Sequence, residues 1–270
     1  MTKEEIFSII QEVKENAPLV HNITNFVVMN NTANALLAAG ASPVMAHAEE
    51  EVADMVKIAN ALVINIGTLN PVWIAGMKKA IEAANNLKKP FVIDPVGVGA
   101  TPYRNEQIAE LLKIASPTVI RGNASEIAAV LDSTKKTKGV DSTDASDKSI
   151  DAAKALNKST NSIICLSGAI DYIVEDTRMG EVKNGHPMMA KVTGLGCTAT
   201  ALIGAFIGIH PSPFEATLAA MAYLGVVGEL AAKQSQGPGT LQLNLLDKLY
   251  NLTEIEFLET VKVDIYGTAS

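Results

Sequence analysis

Chemistry is easiest to place at Gly194-Leu195-Gly196-Cys197. Two glycines around Leu195 suit a tight turn, and the small, apolar run at 198–207 reads as the helix behind it. A helix start leaves backbone N–H groups without partners, and a Gly-x-Gly turn lets an anion approach them closely. Cys197 is then the first side chain over an anion site. A helix N-terminus lowers a thiol's pKa from its reference of about 8.5, so Cys197 is expected to be a proton acceptor. The plainer reading is that Cys197 only packs there or caps the helix weakly.

Four other positions carry polar or glycine residues where an apolar run ends. The run at 61–67 ends on Gly67 and Thr68, and the run at 90–95 carries Asp94. The run at 118–122 carries Arg121, with Asn123 and Glu126 next, and the run at 161–168 ends on Ser167 and Gly168. Ligands of an open parallel sheet bind beyond the carboxyl ends of its strands, so these residues are expected to share an edge with the glycine turn. Each has a structural alternative. Asp94 before Pro95 suits a turn, and Glu126 in a first helical turn favours the dipole with no further role. Ser167 alone reads as a local turn residue. Arg121 is harder to explain as structure, because a guanidinium at a strand end needs an anion or water.

These residues require a sheet to position them. Strand-like runs alternate with helix-period stretches such as 71–89, 105–115 and 123–131. That alternation predicts an α/β fold, a mostly parallel central sheet with helices on both faces. Residues 1–17 read as an amphipathic helix. Residues 171–185 read as two antiparallel edge strands with a turn near Arg178–Gly180, and 132–149 as a polar surface loop. After Cys197 the chain is expected to be almost wholly helical, with 261–266 a short strand or an extended arm. No break in the alternation marks a boundary, so 1–270 is expected to be one domain.

Composition narrows the function. Hydrophobic residues make up 48% and charged residues 19%, which is globular. Aromatic residues are only 4%, so Ala, Val, Ile, Leu and Met must build the core. The formal net charge is -7 with no basic block, so nucleic-acid binding lacks its electrostatic basis. No signal-peptide pattern and no stretch with the length and flanks of a membrane span are visible. Two cysteines, Cys165 and Cys197, make no disulfide framework, and Cys165 reads as a core residue. A reduced, cytoplasmic protein is expected. His21, His47, His186 and His210 do not fall at metal-ligand spacing. There is no Walker A or Rossmann fingerprint, and Gly237-Pro238-Gly239 reads as a loop breaker.

Taken together, "HNITNFVVMNNTANALLAAGASPVMAHAEEE", "LVINIGTL", "FVIDPVGVGATPYR", "VIRGNASEI" and "GHPMMAKVTGLGCTATALIGAF" resemble the hydroxyethylthiazole kinase family. The blocks run in order from about residue 18 to 208. The resemblance implies a ribokinase-like fold. It implies ATP-dependent phosphorylation of the alcohol of 4-methyl-5-(2-hydroxyethyl)thiazole in thiamine salvage, with Mg²⁺. It also implies a homotrimer with active sites near subunit boundaries. Carried over by motif, Arg121 and Ser167 bind ATP, and Met45 and Gly194 contact the thiazole. Asn25 helps form the substrate site across the subunit interface, and Asp94 and Glu126 organise Mg²⁺ and the phosphates. Cys197 stands where many ribokinase-like enzymes have an aspartate as general base. Two departures matter: the family often has threonine at Ser167, and a smaller or more polar residue at Leu195. The alternatives are a related kinase of another small alcohol, of pyrimidine or pyridoxal type, and a binding protein that has lost catalysis.

Overall fold

The computed structural model describes residues 1–134 and 145–267. The chain opens with α1 (Lys3–Asn16), β1 (Leu19–Ile23), α2 (Met29–Ala38), β2 (Ser42–Val44) and α3 (Val52–Ile58). Strands and helices then alternate as β3 (Ala61–Asn65), α4 (Pro71–Leu87), β4 (Phe91–Asp94), α5 (Pro102–Ile114), β5 (Val119–Asn123), α6 (Ala124–Thr134), α7 (Ala145–Thr160) and β6 (Ile163–Ser167). A hairpin of β7 (Asp171–Glu175) and β8 (Arg178–Val182) and a 3-10 turn (Pro187–Lys191) lead to α8 (Leu195–Ile207). The chain closes with α9 (Pro213–Lys233), α10 (Pro238–Asn251), α11 (Glu254–Thr260) and β9 (Val263–Tyr266).

The expected α/β fold is present. One nine-stranded sheet runs in the order β2-β1-β3-β4-β5-β6-β7-β8-β9. Pairings from β2 through β6 are parallel, and those from β6 through β9 are antiparallel. One apolar core lies between the sheet and α1, α2, α8, α9, α10 and α11, and a second between the sheet and α3 to α7. Period-two alternation explains the split: on β3, Ala61 and Val63 face the first core, Leu62 and Ile64 the second.

Local chemistry sets the element ends. Side chains of Thr2, Asn70, Thr101, Ser212 and Thr253 cap α1, α4, α5, α9 and α11, each worth about 1 kcal/mol. Prolines open α4, α5, α9 and α10, where their missing N–H costs nothing. Pro238 makes Gly237-Pro238-Gly239 a helix start rather than only a break.

Several expectations change in detail. The hairpin turns at Asp176 and Thr177, not at Arg178–Gly180. Asp176 takes the left-handed φ of 40°, and Gly180 serves packing instead, since a Cβ there would lie 2.7 Å from Leu218 Cδ1. β8 is not an edge, because residues 263–266 pair with it as β9. The polar segment 132–149 is helical at both described ends, and 135–144 lies outside the described residues. α9 has 21 residues and is apolar enough to cross a membrane by length, contrary to the sequence reading. It is instead a core helix, most of it buried against α1, α8 and α10.

Candidate active site

The parallel strands β1, β3, β4, β5 and β6 deliver their carboxyl ends to one edge, and α8 points its N-terminus there. Gly194 caps α8 at φ 81°, and a Cβ would stand 2.6 Å from Val28 Cγ1, so both backbone and space demand glycine. No side chain caps α8, so its first N–H groups stay available to a ligand. Below the turn is a cavity of about 300 Å³ lined by Asp94, Arg121, Glu126, Gly194, Gly196 and Cys197, with Val96 and Asn123. Arg121 and Gly196 also line a second groove of about 600 Å³, where Ser167, Asp171, Lys183 and Leu224 stand. The two spaces therefore meet at the guanidinium.

A buried polar chain connects the walls of the smaller cavity. Asn25 Nδ2 donates to Asn65 Oδ1 at 2.8 Å and lies 3.4 Å from Cys197 Sγ. Asn65 Nδ2 donates to Asp94 Oδ2 at 3.0 Å, and Thr200 Oγ1 donates to the same oxygen at 2.7 Å. Asp94 is thus no turn former. Burial lifts its pKa from 3.8 to about 6, against the pull of Arg121 and the Thr200 and Asn65 bonds, with Glu126 adding to the rise. Glu126 is both cap and site residue. Its Oε2 accepts from Asn123 N and its Oε1 from Gly97 N, each at 2.9 Å. Arg121 Nε donates to Ser167 Oγ at 2.9 Å, so Ser167 orients the guanidinium rather than serving its own turn. Burial works against the Arg121 charge, but Asp94, Cys165, Asp171 and Glu126 outweigh it and raise its pKa.

One expectation needs correction. The Cys197 thiol is not lowered. Burial first and the Asp94 carboxylate second push it above the ordinary value, and hydrogen bonds from Asn65 and Asn25 and the Arg121 charge only partly oppose them. Asn25 stands beside Cys197 of its own chain, its amide 3.4 Å from the thiol. Met45 is the residue that the structure leaves apart. It follows β2 at the sheet edge and lines neither cavity. Leu195 is buried and lines the larger groove, so the turn's backbone donors do not depend on it.

Sequence reasoning missed Asn65, Thr200, Asp171 and Arg104. An asparagine ending the apolar run LVIN was a usable signal, because a buried amide needs partners. Thr200 sits one turn on from Gly196 and Cys197, on their helix face. Asp171 starts the strand after Ser167, and burial raises its pKa to about 6 against the Gly168 N–H bond and Arg121. The histidines stay structural: His21 binds Ala46 O, His47 stacks on Trp73, and His210 contacts Glu12 and Glu215. His186 caps the 3-10 turn and also lines the larger groove.

Among the described residues no three His, Cys, Asp or Glu side chains cluster as a metal cage. Mg²⁺ does not need one. It keeps several waters and binds through one or two carboxylates plus phosphates. Asp94 fits that donor set, since both of its described hydrogen bonds fall on Oδ2. Glu126, with a backbone N–H on each oxygen, fits contact through water.

Residues 10–255 match the model of the hydroxyethylthiazole kinase family. The hydroxyethylthiazole kinase of Syntrophus aciditrophicus is 52% identical over 264 residues, which is 97% of this chain and 98% of that protein. That of Leptothrix cholodnii is 50% identical over 99% and 98% of the two chains. The solved structure of hydroxyethylthiazole kinase protein from Pyrococcus horikoshii OT3 superposes with a TM-score of 0.91 at 41% identity, covering 97% of this chain and 99% of that one. Pyridoxal kinase from Staphylococcus aureus, at TM-score 0.66 and 15% identity over 93% and 99% of the chains, shares the fold. With the family model spanning most of its length and relatives at half identity across nearly all of it, this chain belongs to the hydroxyethylthiazole kinase family.

Proposed function

We propose that the protein transfers the terminal phosphoryl group of ATP to the hydroxyl of 4-methyl-5-(2-hydroxyethyl)thiazole, a step of thiamine salvage. The observation that carries this reading is the meeting of two spaces at Arg121 and Gly196. The larger suits a nucleotide and the smaller suits the reacting groups. Phosphoryl transfer needs mostly positioning and charge neutralisation, and the chain supplies both. The N–H groups of the turn at 194–197 would hold the phosphoryl oxygens, with Arg121 neutralising charge beside them. Ser167 keeps Arg121 in place and would touch ATP with it. Asp94, directly, and Glu126, through water, would hold Mg²⁺, which when bound offsets phosphate charge. Asn25 and Gly194 would form the thiazole wall next to Cys197.

Met45, outside its own chain's cavity, supports a homotrimer in which the edge at β2 reaches a neighbour's thiazole. Exposed Phe26, Val27 and Val72 around Trp73 form an apolar surface beside the site, which suits such a contact. Both cysteines are free, which supports a reducing, cytoplasmic setting.

Cys197 would take the alcohol proton. Its raised pKa leaves little thiolate at neutral pH, and this is tolerable because a loose transition state keeps the hydroxyl protonated until late. Steady-state kinetics from pH 6 to 9 test the role. Cys197→Ala should lower kcat with little change in the thiazole KM, at or below the low end of the ~10²–10⁴-fold range for a base. Cys197→Asp should stay active and lose the rise of kcat with pH that thiol ionisation gives the wild type. An alanine variant equal to wild type across that range makes Cys197 a packing residue.

A further inference from the structure

Arg104, on α5, has a half-buried guanidinium but no carboxylate among its described partners. Its Nη1 donates to Ile66 O at 2.6 Å and to Val96 O at 2.7 Å, and its Nη2 donates to Gly67 O at 2.8 Å. A cation held by three carbonyl oxygens contributes through geometry, since it neutralises no charge there. The carbonyls come from two loops, 66–70 after β3 and 95–101 after β4. Gly97, at φ 71°, lays its backbone on the guanidinium, where a Cβ would stand 3.5 Å from Nε.

The first loop bears on Asn25, whose amide reaches Cys197, and the second borders the smaller cavity itself. In the first, Gly67 packs so closely on Asn25 that a Cβ would lie 2.7 Å from Nδ2, and its N–H donates to Asn65 Oδ1. Thr68 Oγ1 in that loop accepts from Phe26 N, fixing the backbone next to Asn25. In the second, Gly97 N holds Glu126 Oε1 at 2.9 Å, and Val96 lines the cavity with Cys197. We infer that Arg104 is a positioning residue that sets the spacing of these loops, and through them aligns Asn25 with Glu126 across the reacting groups. The inference rests on the roles proposed above for those two residues. A lysine cannot reproduce it, because its ammonium is a point donor and the carbonyls match a planar fork.

The test compares wild type, Arg104→Lys and Arg104→Ala for melting temperature, kcat, thiazole KM and half-saturating Mg²⁺. A misplacement near 1 Å costs up to about 100-fold in rate, so kcat should fall about 10- to 100-fold in both variants. Half-saturating Mg²⁺ should rise and thiazole KM should move less than kcat. The melting temperature of Arg104→Lys should stay near wild type. Free guanidinium at a non-denaturing concentration should restore part of the kcat of Arg104→Ala and leave wild type unchanged. Glu126→Gln, as a control, should raise half-saturating Mg²⁺ by itself. If it does not, the metal role of Glu126 fails, while the kcat loss and guanidinium rescue still decide on Arg104. A folded Arg104→Lys with wild-type kcat and Mg²⁺ dependence overturns the inference, as does an Arg104→Ala that loses kcat without rescue. If Arg104→Ala does not fold, Arg104→Lys decides alone.

Discussion

Gly196→Ala should separate folding from function at the nucleotide site. Gly196 lies in the first turn of α8 with an ordinary helical backbone, so alanine should favour the helix by about 1 kcal/mol. The space is the difficulty. A Cβ there would stand 2.7 Å from Arg121 Nη1 and 3.5 Å from Cζ and Nη2. Non-bonded contacts settle at about 3.5 Å or more, so the guanidinium must retreat by roughly 1 Å. Arg121 is held by its 2.9 Å bond to Ser167 Oγ, and that shift takes the bond beyond hydrogen-bonding reach. The displaced guanidinium also misses its proposed phosphate contact, and a hydrogen bond to a charged group contributes about 1.5–3 kcal/mol, so ATP should bind about 10- to 150-fold more weakly. Melting temperature should fall by no more than a few degrees, because the helix gain of about 1 kcal/mol offsets part of the Arg121–Ser167 bond lost in the free protein. ATP KM and calorimetric affinity measure the first quantity, and scanning fluorimetry the second. On an Arg121→Ala background the same substitution should cost little, because the atom it displaces is gone. An unchanged ATP KM in Gly196→Ala, or an equal penalty on both backgrounds, would refute the reasoning.

Two further outcomes follow from charge and from surface. Asp171 has a folded pKa of about 6 against 3.8 unfolded, so the folded state binds more protons and stability falls as pH rises through that window. Nucleotide-free Asp171→Asn should match wild type in urea stability below pH 4 and exceed it above pH 6, by on the order of 1–3 kcal/mol; a constant difference across pH contradicts this. Val72→Glu places a charge on the exposed surface beside Trp73 and Phe26, and should convert the proposed homotrimer into monomers with loss of turnover. Sedimentation with a parallel activity assay checks it, and a fully active monomer removes Met45 from the neighbour's site.

The middle of the sheet was legible because β3 to β6 are short apolar runs bounded by turns and separated by helices. β1 and β2 were not read as strands, for identifiable reasons. In β1, His21 and Asn22 interrupt the apolar run, yet both are fully buried. β2 is three residues long and contains Pro43, which only an edge position tolerates. The site was legible where a residue ends a strand, as Asp94 and Ser167 do, or stands two residues before the end, as Arg121 does, because the sheet itself brings strand ends together. Arg104 was not, because its partners are main-chain oxygens of two loops, and sequence carries no mark of where a carbonyl points. The Cys197 pKa was misjudged for a similar reason. The helix terminus shows in sequence, but the burial of the thiol and the Asp94 carboxylate beside it depend on how β4 packs against α8.

The charge pattern of the free site bears on how its ligands must arrive. Asp94, Glu126 and Asp171 all act on Arg121, and Glu126 adds to the rise that burial gives Asp94. Above pH 6 the surroundings of this one guanidinium are therefore negative overall. A nucleotide triphosphate adds more negative charge to the same place, and the N–H groups at the start of α8 supply only partial positive charge. Burial is the first cause of the raised Asp94 and Asp171 values, and the Arg121 charge lowers both without cancelling the rise. A divalent cation would relieve the carboxylates and the phosphates together, and that joint relief belongs only to the loaded site. Asp94 is buried and bonded on one oxygen by Asn65 and Thr200, so it cannot rotate away to find water. The fold thus keeps an unfavourable charge in place where a cation and the phosphates would make it favourable, a cost in stability carried at the point where phosphoryl transfer needs alignment.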